Sequence, residues 1–141
     1  MRRILMATDG SEGAARAVAV AADMAKAAGA RLTIVTVGDS ADSALEPIAK
    51  VEGDLGAALD LVLNRNLLDA QEIARKAGVA EIKTQITWGD PSQAIINAAM
   101  HSNADAIVIG RRGLGQLEGL LLGSVSQKLV THAPCTVIVV P

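Results

Sequence analysis

Short apolar runs alternate with segments of helical period along the whole chain, and this interleaving narrows the possible folds more than any other feature. Residues 4–7, 31–37, 81–88, 106–109 and 136–140 read as strands. Between them, Ala14, Val18, Ala21, Ala25 and Ala28 recur at steps of four and three, and Glu12, Arg16, Asp23 and Lys26 keep the same rhythm on the opposite face. That spacing predicts an amphipathic helix with a small-residue buried side, capped by Ser11 and stopped by Gly29. Leu63, Leu67, Ala70, Ala74 and Ala77 repeat the pattern, with Leu55, Leu59 and Val62 ahead of them and Gly78 as the stop. Gly89-Asp90-Pro91 supplies a cap and an N1 proline for a third helix through about His101. A short fourth helix is expected over residues 124–131. Residues 38–53, with Pro47 and no clean period, predict a long irregular connection.

Strand and helix in strict alternation predict one α/β domain over residues 1–141, a parallel sheet with helices on both faces. The run 106–109 is apolar at every position and belongs in the interior of that sheet. In 81–88, by contrast, Ile82, Thr84, Ile86 and Trp88 alternate with Glu81, Lys83, Gln85 and Thr87, which predicts a half-solvated edge. In such a sheet the ligand crevice lies outside the carboxyl ends of the strands, where the winding reverses. Two strand ends carry polar chemistry: Thr8-Asp9 after the first and Gly110 onward after the fourth.

Composition removes several functional classes. Hydrophobic residues make up 50% of the chain but aromatic ones only 1%, with no Phe or Tyr and a single Trp, so a base-stacking single-strand binder is excluded. Thirteen Lys and Arg against fifteen Asp and Glu leave no basic footprint for a nucleic acid. One cysteine, Cys135, makes neither an internal disulfide nor a zinc site, and is expected to be a small buried hydrophobe. His101 and His132 fall at helix ends, where a dipole contact is expected. Trp88 is expected to close an edge of the core. The short apolar run at the N-terminus is no signal core, and no run nears the roughly 20 residues that span a bilayer, so a cytoplasmic location without membrane contact is expected.

The segment from Gly110 to Ser126 carries the chemistry. Gly110 and Gly113 allow close backbone approach and sharp turns. Gly123 and Ser124 would expose N–H groups at the positive end of a helix, with hydroxyls from Ser124 and Ser126 and charge from Arg111 and Arg112. The simpler reading is a glycine-rich connection in which Ser124 only caps the helix. No Gly-Lys-Ser or Gly-Lys-Thr is present, so a Walker loop is excluded. Gly110-x-x-Gly113-x-Gly115 is not the dinucleotide fingerprint, and the stretch after Asp9 lacks the Ser-Gly-Gly start of a pyrophosphatase-type loop.

The spacing of glycine, two residues, glycine, nine residues, glycine and serine at Gly110, Gly113, Gly123 and Ser124 resembles that of the nucleotide-binding branch of the universal stress protein family. The likeness extends to Ala7-Thr8-Asp9, Gly89-Asp90-Pro91 and His132-Ala133-Pro134-Cys135, and so spans the chain. It implies a Rossmann-like open sheet of five parallel strands in the order 3-2-1-4-5, with ATP bound between the first and fourth strand ends. By that resemblance Ala7, Thr8 and Asp9 form one wall, with Asp9 as the carboxylate on the nucleoside side and Val37 as the backbone contact for the base. Ile109, Gly110, Arg111, Gly113, Gly123, Ser124, Val125 and Ser126 form the ribose and phosphate cradle. Ala7 replaces a proline seen in some relatives. The expected role is a stress-response sensor or adaptor, a homodimer through the C-terminal strand. Any Mg2+ or Mn2+ would be brought by the phosphates, with no metal ligand or catalytic residue assigned in the chain. A slow ATP hydrolase or phosphotransferase, and a module for AMP or a cyclic nucleotide, stand as alternatives.

Overall fold

A computed structural model describes residues 1–38, 55–111 and 122–141. Among these residues five strands, β1 (Arg3–Ala7), β2 (Arg31–Gly38), β3 (Ile82–Trp88), β4 (Ala106–Gly110) and β5 (Thr136–Val140), are interleaved with four helices. These are α1 (Glu12–Ala28), α2 (Leu55–Ala77), α3 (Pro91–His101) and α4 (Ser124–His132). The strands form one sheet in the order β3-β2-β1-β4-β5, every neighbouring pair parallel. The expected open α/β sheet is therefore present with the expected order. The expected connection over 38–53 begins on Gly38, the last residue of β2; its remainder lies outside the described residues.

The helices start and stop where the sequence chemistry places them. Ser11 Oγ accepts from the Ala14 N–H, and Gly29 closes α1 in the left-handed region at φ 62°. Asp90 caps α3 by accepting from the Gln93 N–H, with Pro91 as the first helical residue, where its missing N–H costs nothing. Gly78, at φ 94°, ends α2.

Alternation along β1 divides the core in two. Ile4 and Met6 face α1 and α2, where they meet Ala17, Val18, Ala21, Leu67, Ala70 and Ala74. Leu5 and Ala7 face the opposite layer, with Ile95, Ile96 and Ala99 of α3 and Leu129 of α4. Both sides of the strand are thus dry, the condition that makes interior parallel strands read as continuous apolar runs. Each fully buried side chain such as Leu5, Ile34 or Ile107 stabilises the fold by about 1.5–3 kcal/mol relative to exposure. β3 stands at the sheet edge, as predicted, but it is more open than its alternation predicts: Thr84 and Trp88, expected on the same face as Ile82 and Ile86, are exposed, because an edge strand has cover from one neighbour only. Trp88 departs from expectation: it is 55% exposed, its ring lying across Gly38 of the neighbouring strand, so it covers backbone at the sheet corner instead of closing the core. Cys135 is half-buried against the α3–α4 layer, not fully buried, and desolvation pushes its thiol pKa up, with the Asp105 charge adding to the shift. Among the described residues no helix is long and apolar enough to cross a membrane.

On the amino-terminal side of the sheet, Asp105 ties two strands together. Its Oδ2 accepts the N–H of Arg2 at 2.6 Å and of Arg3 at 2.8 Å, and these bonds, the Arg2 one first, hold the carboxyl below its ordinary pKa. A carboxylate whose folded pKa is depressed stabilises the fold above its unfolded pKa, and that contribution is lost as pH falls through the folded value. Melting temperature should therefore drop on acidification below about pH 4, the ordinary aspartate range. The drop should be shallower in Asp105→Asn, and equal slopes for both proteins would show that the tie is not felt.

Candidate functional site

The winding reverses between β1 and β4: the chain runs outward through β2 and β3 on one side and through β4 and β5 on the other. At such a point the loops leaving the two strands diverge and open a crevice.

The β1 wall is a tightly bonded turn. Thr8, 7% exposed, donates its N–H to the Val35 carbonyl at 2.9 Å, and its own carbonyl accepts the buried Thr36 hydroxyl at 2.8 Å. The Thr8 hydroxyl accepts from the Gly10 N–H at 3.2 Å, and Asp9 Oδ1 accepts from the Ser11 N–H at 2.9 Å. Short polar side chains commonly fold a turn in this way, bonding backbone two residues ahead. Capping of α1 falls to Ser11, and the half-buried Asp9 sits one step outside, at the crevice. Gly10 passes through φ 81°, and the side-chain amide of Asn66 from α2 occupies the position where a Cβ on Gly10 would stand. Asn66 is absent from the residues singled out by sequence. The signal was available, since it lies three residues after Leu63 and four before Ala70, a polar residue inside an otherwise apolar stripe.

The β4 wall explains its glycine differently from the sequence. A Cβ on Gly110 would lie 3.1 Å from the carbonyl carbon and oxygen of Gly13 in α1, so this glycine makes room for a helix backbone. Arg111 donates its N–H to the Val140 carbonyl at 2.7 Å and accepts the Gly123 N–H at 2.8 Å, which fixes the start of α4 beside the end of β4. Ser126, expected to offer its hydroxyl to phosphate, is 3% exposed and donates it to the Gly110 carbonyl at 2.9 Å and the Arg111 carbonyl at 3.1 Å. It latches the helix to the strand. The cap of α4 is Gly123, in extended backbone, with Ser124 as the first helical residue; a glycine cap makes no side-chain bond, whereas Ser11 and Asp90 cap α1 and α3. Among the described residues no side chain is bonded to its first-turn N–H groups, which form the positive end of the helix dipole and suit an anion. Among the described residues, the buried Nε of Arg111 has no hydrogen-bond partner.

Ala7 and Ile109 are buried in the α3–α4 layer of the core and offer only their backbone, whereas Val37 is half-buried against the same layer. Ser124 is exposed and Val125 half-buried at the mouth of α4. Arg112 and Gly113 lie outside the described residues. His101 and His132 stand in the last turns of α3 and α4, as expected. No three metal-ligating side chains come together among the described residues.

A five-stranded sheet wound in both directions from β1 and β4, with the Thr8–Ser11 turn at the carboxyl end of β1, defines an open doubly wound α/β domain whose switch point lies between those two strands. The chain belongs to the universal stress protein family, whose model matches residues 1–141. It is 41% identical over 143 residues to the "Universal stress protein in QAH/OAS sulfhydrylase 3′region" of Thermus aquaticus, covering 99% of this chain and 98% of that one. Among solved structures it is similar to a universal stress protein in complex with cAMP, with a TM-score of 0.77, 28% identity, and 99% and 97% of the two chains covered. It is also similar to the universal stress protein from Archaeoglobus fulgidus in complex with dAMP, with a TM-score of 0.71, 25% identity, and 100% and 98% covered.

Proposed function

We propose that this chain binds an adenine nucleotide, ATP, in the crevice between β1 and β4 and acts in the cytoplasm as a nucleotide-dependent stress-response sensor or adaptor. One observation carries the reading: the amino terminus of α4, capped by a glycine that offers no side-chain bond, is joined by the Gly123 to Arg111 backbone bond to the end of β4, where the buried Nε of Arg111 has no hydrogen-bond partner among the described residues. Helix N–H groups and an Arg fork are complementary to phosphate oxygens. Across the switch point the Asp9 carboxylate is the acceptor for a ribose or base donor, and the backbone of Val37 lies at the end of β2 for the base. Relatives with cAMP and dAMP support the adenine class.

The reading adopted is binding, with slow ATP hydrolysis or phosphoryl transfer, which relies on positioned metal and charge, as the alternative. A divalent ion would arrive with the phosphates. The relative bound to cAMP keeps a cyclic nucleotide as the second reading. Mass spectrometry of nucleotide released from freshly purified, denatured protein separates the two: ATP is expected, and AMP or cAMP in its place would move the assignment to the second reading.

The assembly reading concerns β5. Val137, Ile138 and Val139 are half-buried on an outer strand without the charged alternation of β3. An apolar edge invites pairing, and two copies joined through β5 about a two-fold axis would cover it. Light scattering at micromolar concentration is expected to give twice the mass of one chain; a monomer would defeat this assignment.

A further inference from the structure

We infer that Asn66 is a positioning residue for the nucleoside end of the crevice, acting through the Asp9–Gly10–Ser11 turn; this rests on the nucleotide-binding reading above. The turn is built on a glycine at φ 81°, and a glycine bond pair left to itself samples many conformations. Its own hydrogen bonds restrict it, and contact from outside adds to them. The Asn66 amide stands against Gly10 where a Cβ would be, so the turn is held from the side of α2 as well as by its own bonds through Thr8 Oγ1 and Asp9 Oδ1.

Asn66 is itself firmly placed. Leu63 and Leu67 on either side of it are 4% and 6% exposed, and Ala70, one turn later, is 3% exposed, so this stretch of α2 is anchored to the sheet. The rest of that stripe is apolar: Leu59, Leu63, Leu67, Ala70 and Ala74. A polar amide on the margin of such a stripe is explained by what it touches, and what it touches is the turn that carries Asp9. Holding a ligand-facing turn in its bound conformation before the ligand arrives reduces the ordering entropy lost on binding. Asn66 thus links the seating of α2 to the direction of the Asp9 carboxylate without contacting the ligand.

Calorimetric titration of ATP into wild type, Asn66→Ala, Asp9→Ala and the double variant tests this as a thermodynamic cycle. Alanine is the best helix former, so Asn66→Ala should fold, which circular dichroism checks. Asn66→Ala is expected to weaken ATP binding about five-fold in the wild-type background and less than about two-fold once Asp9 is gone, because coupled residues are non-additive. Asn64→Ala, two residues away on α2 at an exposed position, should bind as wild type does. Equal weakening by Asn66→Ala in both backgrounds, or none in either, overturns the positioning role while leaving ATP binding by the wild type intact. A wild type that takes up no ATP overturns the nucleotide reading itself and this inference with it.

Discussion

Gly110→Val is expected to destabilise the folded chain by about 3 kcal/mol, and Gly110→Ala by about 1–2 kcal/mol, values typical of overpacking and of forced backbone shifts. The atoms in the way are backbone: the carbonyl carbon and oxygen of Gly13 at 3.1 Å and the Ala14 N–H nitrogen at 3.3 Å from the added Cβ. A flexible side chain would swing aside at little cost. Here α1 as a whole must move, and it is fixed by Ala14, Ala17, Val18, Ala21 and Ala25, all buried against the sheet. The valine branches would also press toward the Ser126 hydroxyl latch on the Gly110 carbonyl. Urea denaturation should show a lower midpoint at an unchanged slope. A midpoint equal to the wild type would mean that α1 does not approach β4 this closely.

Gly123→Val should instead leave the fold largely intact and lower ATP affinity more than a hundred-fold. At φ −72° and ψ 167° the backbone of Gly123 is extended, a conformation that valine adopts readily, so the cost is that of fitting a branched side chain at a buried cap, about 1–3 kcal/mol, and not of backbone strain. Its effect on binding arises because a branched side chain at the cap crowds the N–H groups of Ser124, Val125 and Ser126, the donors left without a side-chain cap. Asp9→Ala acts at the other end of the ligand. Loss of a charged acceptor costs about 1.5–3 kcal/mol, roughly ten- to a hundred-fold in affinity. Equilibrium dialysis against ATP measures both variants, and wild-type affinity in Gly123→Val would show that the start of α4 is no phosphate site.

The fold was readable in the sequence because each element carries its own period and its own punctuation. The alanine face of α1, the Ser11 and Asp90 caps, and the glycines at 29 and 78 are local signals, and the structure keeps them except at Ala28, which is exposed in the last turn of α1 where the helix runs past the sheet, while Ala17 and Ala22 join the buried face. Strand order was less local. The charged alternation of β3 marks an edge and the apolar run of β4 an interior strand, but the complete order came with the family resemblance. At the candidate site the sequence identified loops better than roles. Gly110 was expected to admit a ligand and admits α1; Ser126 was expected to face phosphate and bonds two carbonyls. Both are tertiary outcomes, fixed by which helix lands on which strand end. Asn66 interrupts an apolar stripe, which sequence can show, but what it touches is known only once the turn beneath it is placed. Trp88 shows the same limit: its sequence position indicates an edge, yet only the register Gly38↔Trp88 shows that its ring covers backbone.

ATP binding between the ends of β1 and β4 is tested by isothermal titration of ATP into the purified wild-type chain. Saturable binding of one ATP per chain is expected, abolished in Gly123→Val while that variant keeps a cooperative unfolding transition. No saturable heat with nucleotide-free wild-type protein, or the same binding curve for wild type and Gly123→Val, would contradict it.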